Sequence, residues 1–231
     1  MTFRPRDPAR HPPALAPAYK TSVTRSPRLP LLSLDPGPTE RTGPVFRPDD
    51  LGQMDADLLS NYGEAAPIGE RILIHGRVLD GNGRPVPHTL VEVWQANASG
   101  RYRHVRDGYV GALDPDFGGC GRCLTGEDGT YAFRTVKPGA YPWRNTRNDW
   151  RPAHIHFSVF GTAFLQRLVT QCYFEGDPLI ARCPIAQSIG DPVAVDALVA
   201  NLDMGQTRPF DMIAYRFDIV LRGRRATWFE T

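Results

Sequence analysis

The chain has 231 residues and a formal net charge of +2, long enough for one sizeable core and too near neutral for a nucleic-acid footprint. No apolar run reaches membrane-spanning length. Residues 1–20 are rich in Arg and Pro and lack an apolar stretch, which argues against a secretory signal and for the cytoplasm.

Residues 1–50 are dense in proline and hold no periodic apolar pattern. Such a segment cannot build its own core and reads either as disordered or as an arm laid over something else. A short helical stretch is expected over residues 49–60. The domain proper, residues 51–231, then runs mainly as strands. Residues 71–80 alternate, with Ile72, Ile74 and Val78 on the apolar face. Asp80-Gly81-Asn82-Gly83 is a hairpin turn signal. Residues 89–95 form the next strand, with Val91 and Val93 on one face and Leu90, Glu92 and Trp94 on the other. Residues 97–125 read as one long loop, and a loop of that length inside a compact domain is usually functional. It holds Cys120 and Cys123, a C-x-x-C set among glycines. The remaining cysteines, Cys172 and Cys183, are not spaced to complete a zinc site. Four cysteines in so long a chain make no disulfide framework, and all four read as free thiols.

Strands follow at 130–135, 153–160 and 167–174. A helix is expected over 192–202, with Asp191 as its N-cap and Pro192 at its first position. The last strand, 213–221, puts Tyr215, Phe217, Ile219 and Leu221 on the core face. Many short strands with little helix predict an all-β fold, a β-sandwich with long loops.

The chemistry concentrates in one of these strands. His154 and His156 stand two apart, so both imidazoles lie on one face while Ile155, Phe157 and Val159 point into the core. Two such histidines also occur on ordinary half-buried strands, and Tyr102 and Tyr141 could be plain buried or surface aromatics. Both tyrosines, however, sit in Gly- or Pro-rich loops. Two phenols beside two imidazoles suit ferric iron, because phenolate is a hard anionic donor. A cupin-like site wants a carboxylate soon after the pair, and residues 157–161 supply none. A catalytic zinc wants a third ligand of its own, for which His104 is the one competitor.

Four runs, Val91-Glu92-Val93-Trp94-Gln95, Gly100-Arg101-Tyr102-Arg103-His104, Lys137-Pro138-Gly139-Ala140-Tyr141-Pro142 and Trp150-Arg151-Pro152-Ala153-His154-Ile155-His156, resemble the intradiol ring-cleaving dioxygenases. The resemblance covers nearly the whole chain and agrees with the sandwich. It implies non-haem Fe(III) held by Tyr102, Tyr141, His154 and His156. It implies a pocket lined by Tyr19, Trp143, Arg151, Gln171 and Ile185, with Tyr141, Arg151 and Gln171 taking part in catalysis. Arg144 is a further candidate to face an acidic substrate. The activity implied is O2-dependent cleavage of protocatechuate (3,4-dihydroxybenzoate) to 3-carboxy-cis,cis-muconate, a step of aromatic catabolism in the beta-ketoadipate pathway. The proline-rich arm favours this substrate, because the catechol and hydroxyquinol enzymes of the family begin with a helical dimerisation region. The implied partner is a homologous alpha subunit without the iron ligands, packed against the arm at residues 1–50 in an alpha/beta hetero-oligomer. The alternatives are catechol or hydroxyquinol as substrate, or a non-catalytic prealbumin-like binding sandwich.

Overall fold

The structure, a computed structural model, describes residues 13–29, 48–143, 150–160, 167–221 and 227, with Pro48 described in its backbone alone. Arg144 and most of the proline-rich arm lie outside the described residues. The described strands are β1 (Arg71–Leu79), β2 (Leu90–Gln95), β3 (Cys120–Leu124), β4 (Thr130–Val136), β5 (Tyr141–Pro142), β6 (Trp150–Arg151), β7 (His154–Phe160), β8 (Arg167–Phe174), β9 (Val199–Leu202), β10 (Ile213–Arg216) and β11 (Ile219–Val220). Two short helices, α1 (Lys20–Arg25) and α2 (Pro192–Asp196), and a few 3-10 turns complete them.

The strands make the expected sandwich. In one layer β1 pairs with β4 antiparallel and with β10 and then β11 in parallel. In the other, β3, β2, β7 and β8 run antiparallel to their neighbours. β9 pairs with β8 on one side and β10 on the other, so it joins the layers at one edge. Alternation fills the space between them. Ile72, Ile74 and Phe133 from the first layer meet Val91, Val93, Ile155, Phe157 and Val159 from the second. Phe133 and Phe157 pack edge to face, with ring centroids 6.4 Å apart, a favoured aromatic geometry. The opposite face of β7 is thereby left to its histidines.

Three local expectations need correction. Residues 49–60 form a 3-10 turn at Pro48–Asp50 and further turns, with no α-helix. Leu58 N donates to Arg134 O and Arg134 N to Ala56 O, so the backbone bonds that a helix would use go to β4 instead. The turn at Asp80 is as read: Gly83 N donates to Asp80 O at 3.0 Å and Asp80 N to Arg84 O at 2.8 Å, and Leu79 bridges antiparallel to Pro85 before the chain crosses to the other layer as β2. The expected long loop contains β3, paired along β2 from Leu90↔Leu124 to Trp94↔Cys120. The expected helix over 192–202 stops at Asp196 and the chain continues as β9. Its cap is as read: the Asp191 carboxylate accepts from Val193 N at 2.9 Å.

All four cysteines are free. Cys120 and Cys123 stand three apart on a strand and so point to opposite faces, which rules out a disulfide within this C-x-x-C.

Candidate metal centre and substrate pocket

Strand register assembles the base of the site. On the outer face of the second layer, one cross-strand row runs Cys120, Trp94, His156, Gln171, and the next pairs His154 with Tyr173. Directly opposed residues on paired strands share a face and touch. The imidazoles of His154 and His156 lie with centroids 4.9 Å apart.

Two loops bring the phenols over this face, and two glycines let them meet. Gly139 N donates to Asn97 O at 3.0 Å. A Cβ at Gly139 would stand 2.4 Å from Ala98 O, and one at Gly100 2.3 Å from Ala140 O, closer than any side chain tolerates. The loop carrying Tyr102 and the turn that leads into β5 are thus laid directly on one another, and the Tyr102 and Tyr141 rings pack edge to face at 5.5 Å. The Tyr102 hydroxyl is 3.1 Å from His156 Nε2, and the Tyr141 hydroxyl 3.4 Å from His154 Nε2. Donors each about 2 Å from one ion, a usual metal–nitrogen distance, stand roughly 3 to 4 Å apart. Both phenol–imidazole separations lie in that range, and two nitrogens with two phenol oxygens are a donor set that suits a hard metal ion.

Both histidines are held in the neutral form. His154 is 1% exposed, and its Nδ1 donates to Pro152 O at 2.7 Å. That bond fixes the tautomer and leaves the Nε2 lone pair facing Tyr141. Burial, then the Arg151 cation and His156, hold His154 well below its usual pKa, against the Pro152 carbonyl that raises it. Burial and then Arg151 push His156 down to about 3. His104 is exposed, and its Nδ1 accepts from Arg106 N, so it is no rival ligand.

Beside the donors lies a buried cation. Arg151, 4% exposed, stands opposite Tyr141 in the two-stranded β5–β6 ribbon. Its Nη2 donates to Gln171 Oε1 and, at 3.4 Å, to the Tyr173 hydroxyl. Tyr173 also donates to Gln171 Oε1 at 3.1 Å. The guanidinium lies 5.5 Å from the Trp143 ring centroid. From the arm, Tyr19 packs on Trp143 at 5.8 Å, and Lys20 Nζ donates to Trp143 O and lies 5.4 Å from its ring. Ile185 packs against a second apolar cluster that contains Tyr173.

The structure therefore gathers Tyr102, Tyr141, His154, His156, Arg151, Gln171, Trp143 and Tyr19, with Ile185 packed on the cluster that contains Tyr173. Sequence reasoning missed Tyr173, Lys20 and Asp177. The Asp177 carboxylate accepts from Ala153 N at 3.0 Å and from Leu179 N at 2.9 Å. It thereby ties the segment carrying Arg151 and His154 to the turn after β8. The signal for Tyr173 was present, since it shares the Gln171 face of its strand. Nothing in the sequence marked Lys20 or Asp177.

The chain is similar to known proteins over nearly its whole length. A family model described as "Dioxygenase" matches residues 41–223, and one described as "Protocatechuate 3,4-dioxygenase beta subunit N terminal" matches residues 4–37. The protocatechuate 3,4-dioxygenase beta chain of Burkholderia cepacia is 51% identical over 228 residues, covering 98% of this chain and 96% of that one. The corresponding alpha chain of Pseudomonas putida is 33% identical over 177 residues, 76% of this chain and 83% of its own. Among solved structures, the dioxygenase domain of a dioxygenase carbohydrate-binding protein fusion from Streptomyces sp. SirexAA-E superposes with a TM-score of 0.53 at 27% identity. That match covers 78% of this chain and 94% of that domain. With a β-sandwich, two tyrosines and two histidines drawn together on its outer face, and these likenesses over nearly its full length, the chain belongs to the intradiol ring-cleaving dioxygenases.

Proposed function

We propose that this chain is the iron-bearing subunit of a protocatechuate 3,4-dioxygenase, working with a homologous alpha subunit. The observation that carries the reading is the approach of two imidazole Nε2 atoms and two phenol oxygens to one another. Tyr102, Tyr141, His154 and His156 would hold non-haem Fe(III). Bound there, ferric iron would take both oxygens of a catechol and make its ring reactive towards dioxygen.

The chain's own residues do the rest. Arg151 keeps a fixed positive charge in a dry site, oriented by Gln171 and Tyr173. That charge stabilises negative charge as it builds on the ring, and a preorganised donor in a water-excluded site is worth far more than one in water. Tyr141 accepts a proton from the incoming catechol at its phenolic oxygen. A catecholate dianion would bring two negative charges into a dry site, where uncompensated charge is costly, and a proton taken up on the Tyr141 oxygen would offset one of them. Trp143, Tyr19 and Ile185 form the apolar walls, and Lys20, whose ammonium lies over the Trp143 ring, supplies a cation for a ring carboxylate.

The segment 13–29 packs on this chain's own Trp143, and the remainder of the arm at residues 1–50 reaches the alpha subunit, which completes the pocket around residues 51–231. Free thiols accord with the reducing cytoplasm. Among the described residues no helix is long and apolar enough to cross a membrane.

A substrate panel on the chain purified with its alpha partner tests the reading. Protocatechuate should be consumed with O2 far faster than catechol or hydroxyquinol. A preference for catechol would move the enzyme to the other branch of the family.

A further inference from the structure

The two histidines of the site are held by different means. His154 is tied through its ring edge, Nδ1 to Pro152 O. The Nδ1 of His156 is buried and meets no hydrogen-bond partner among the described residues. A metal-bound histidine is normally oriented through its second nitrogen, so another contact must set this ring. That contact is Trp94. It stands directly across from His156 in the β2–β7 register. Their rings are stacked with centroids 4.8 Å apart and planes within 4° of parallel.

Trp94 also has a second neighbour. With Glu92, Cys120, Arg122 and Arg167 it lines an open groove of about 380 Å³ on the outer face of the sheet. The indole therefore lies between a polar groove and the imidazole. Strand parity explains the choice of residue. Val91 and Val93 fill the core, and position 94 falls on the outer face in the one row that contains His156.

We propose that Trp94 is a positioning residue for His156: it fixes the plane of the imidazole by stacking and keeps water in the groove away from the histidine. The proposal rests on the reading of His156 as an iron ligand. It gives the two histidines unequal supports, a backbone carbonyl for His154 and an aromatic face for His156.

The test uses the complex with the alpha subunit, loaded with ferric iron. The readouts are the rate at which EDTA strips the iron and the position of the visible band. Trp94→Leu should release iron about tenfold faster or more, the usual effect of removing an outer partner of a metal-bound histidine, and should shift the band. Trp94→Phe keeps a ring over His156 and should stay close to the wild type in both. If the Leu variant does not assemble, Trp94→Met takes its place, filling the space without an aromatic face. Wild-type iron release and an unmoved band in the Leu or Met variant overturn the proposal alone. So does a Phe variant that loses iron as fast as either. A wild-type complex that takes up no iron overturns the ligand reading, and the proposal with it.

Discussion

Arg151 and Tyr141 face each other across the β5–β6 ribbon as partners in register. The pairing ties the buried cation to the phenol that lies nearest His154. Tyr141 thus sits on a short paired strand, where the sequence suggested a free loop, so any change of position falls to its side chain.

Replacing Arg151 separates electrostatics from metal binding. Arg151→Ser should keep the iron and the colour, because all four proposed ligands remain. Ring cleavage should fall on the order of a hundredfold or more, the typical loss when one preorganised donor is removed. Steady-state turnover beside an iron assay reads both, and near-normal turnover would make Arg151 merely structural.

The two tyrosines should differ. Tyr102 is anchored at its backbone, where its N–H donates to Asp107 at 2.7 Å, and its hydroxyl lies against His156. Tyr141→Phe should retain iron, bind substrate slowly and change the pH dependence of binding, since a proton acceptor is gone. Tyr102→Phe should lose more iron. Equal iron loss in both variants would contradict the unequal roles given to Tyr102 and Tyr141.

Removing the metal exposes a pH dependence of known sign. Both histidines lie below their usual pKa in the fold, His156 at about 3. In the unfolded chain they take up protons near pH 6.5. As the pH falls below that value the unfolded state binds protons that the folded state does not, so stability drops. The metal-free protein should keep its stability from pH 8 to 7 and lose it progressively towards pH 4, with His156→Gln flattening part of the slope. Urea denaturation at a series of pH values measures this, and a flat or rising stability on acidification would refute it.

Lys20 should govern discrimination for the acid. Lys20→Met should raise the KM for protocatechuate about tenfold, the loss of roughly 1.4 kcal/mol of binding, and leave the KM for catechol unchanged. A parallel rise for both substrates would assign Lys20 to packing on Trp143 alone.

The sequence was legible where side chains alternate and opaque where backbone partners decide. The strand of His154 and His156 could be read because Ile155, Phe157 and Val159 mark its core face. So could the capping Asp191. β9 could not be read: Leu198, Val199 and Ala200 extend the apolar pattern of α2, and only pairing to β8 and β10 makes them a strand. β3 hid among glycines for the same reason. The four proposed ligands stood out as residue types, whereas their supports did not. Tyr173 reaches Arg151 through strand register, Asp177 holds Ala153 N from 24 residues away, and Lys20 arrives from the arm.

The most direct test of the account is the visible absorbance spectrum of the chain purified with its alpha partner, taken with a metal analysis. A phenolate on ferric iron donates charge into the metal and absorbs visible light. Free tyrosine ionises only at about pH 10, so the metal itself must ionise both phenols. The account predicts a coloured protein containing iron, with colour and iron content strongly reduced in His154→Ala and in His156→Ala. A colourless, fully active protein loaded only with zinc would contradict it.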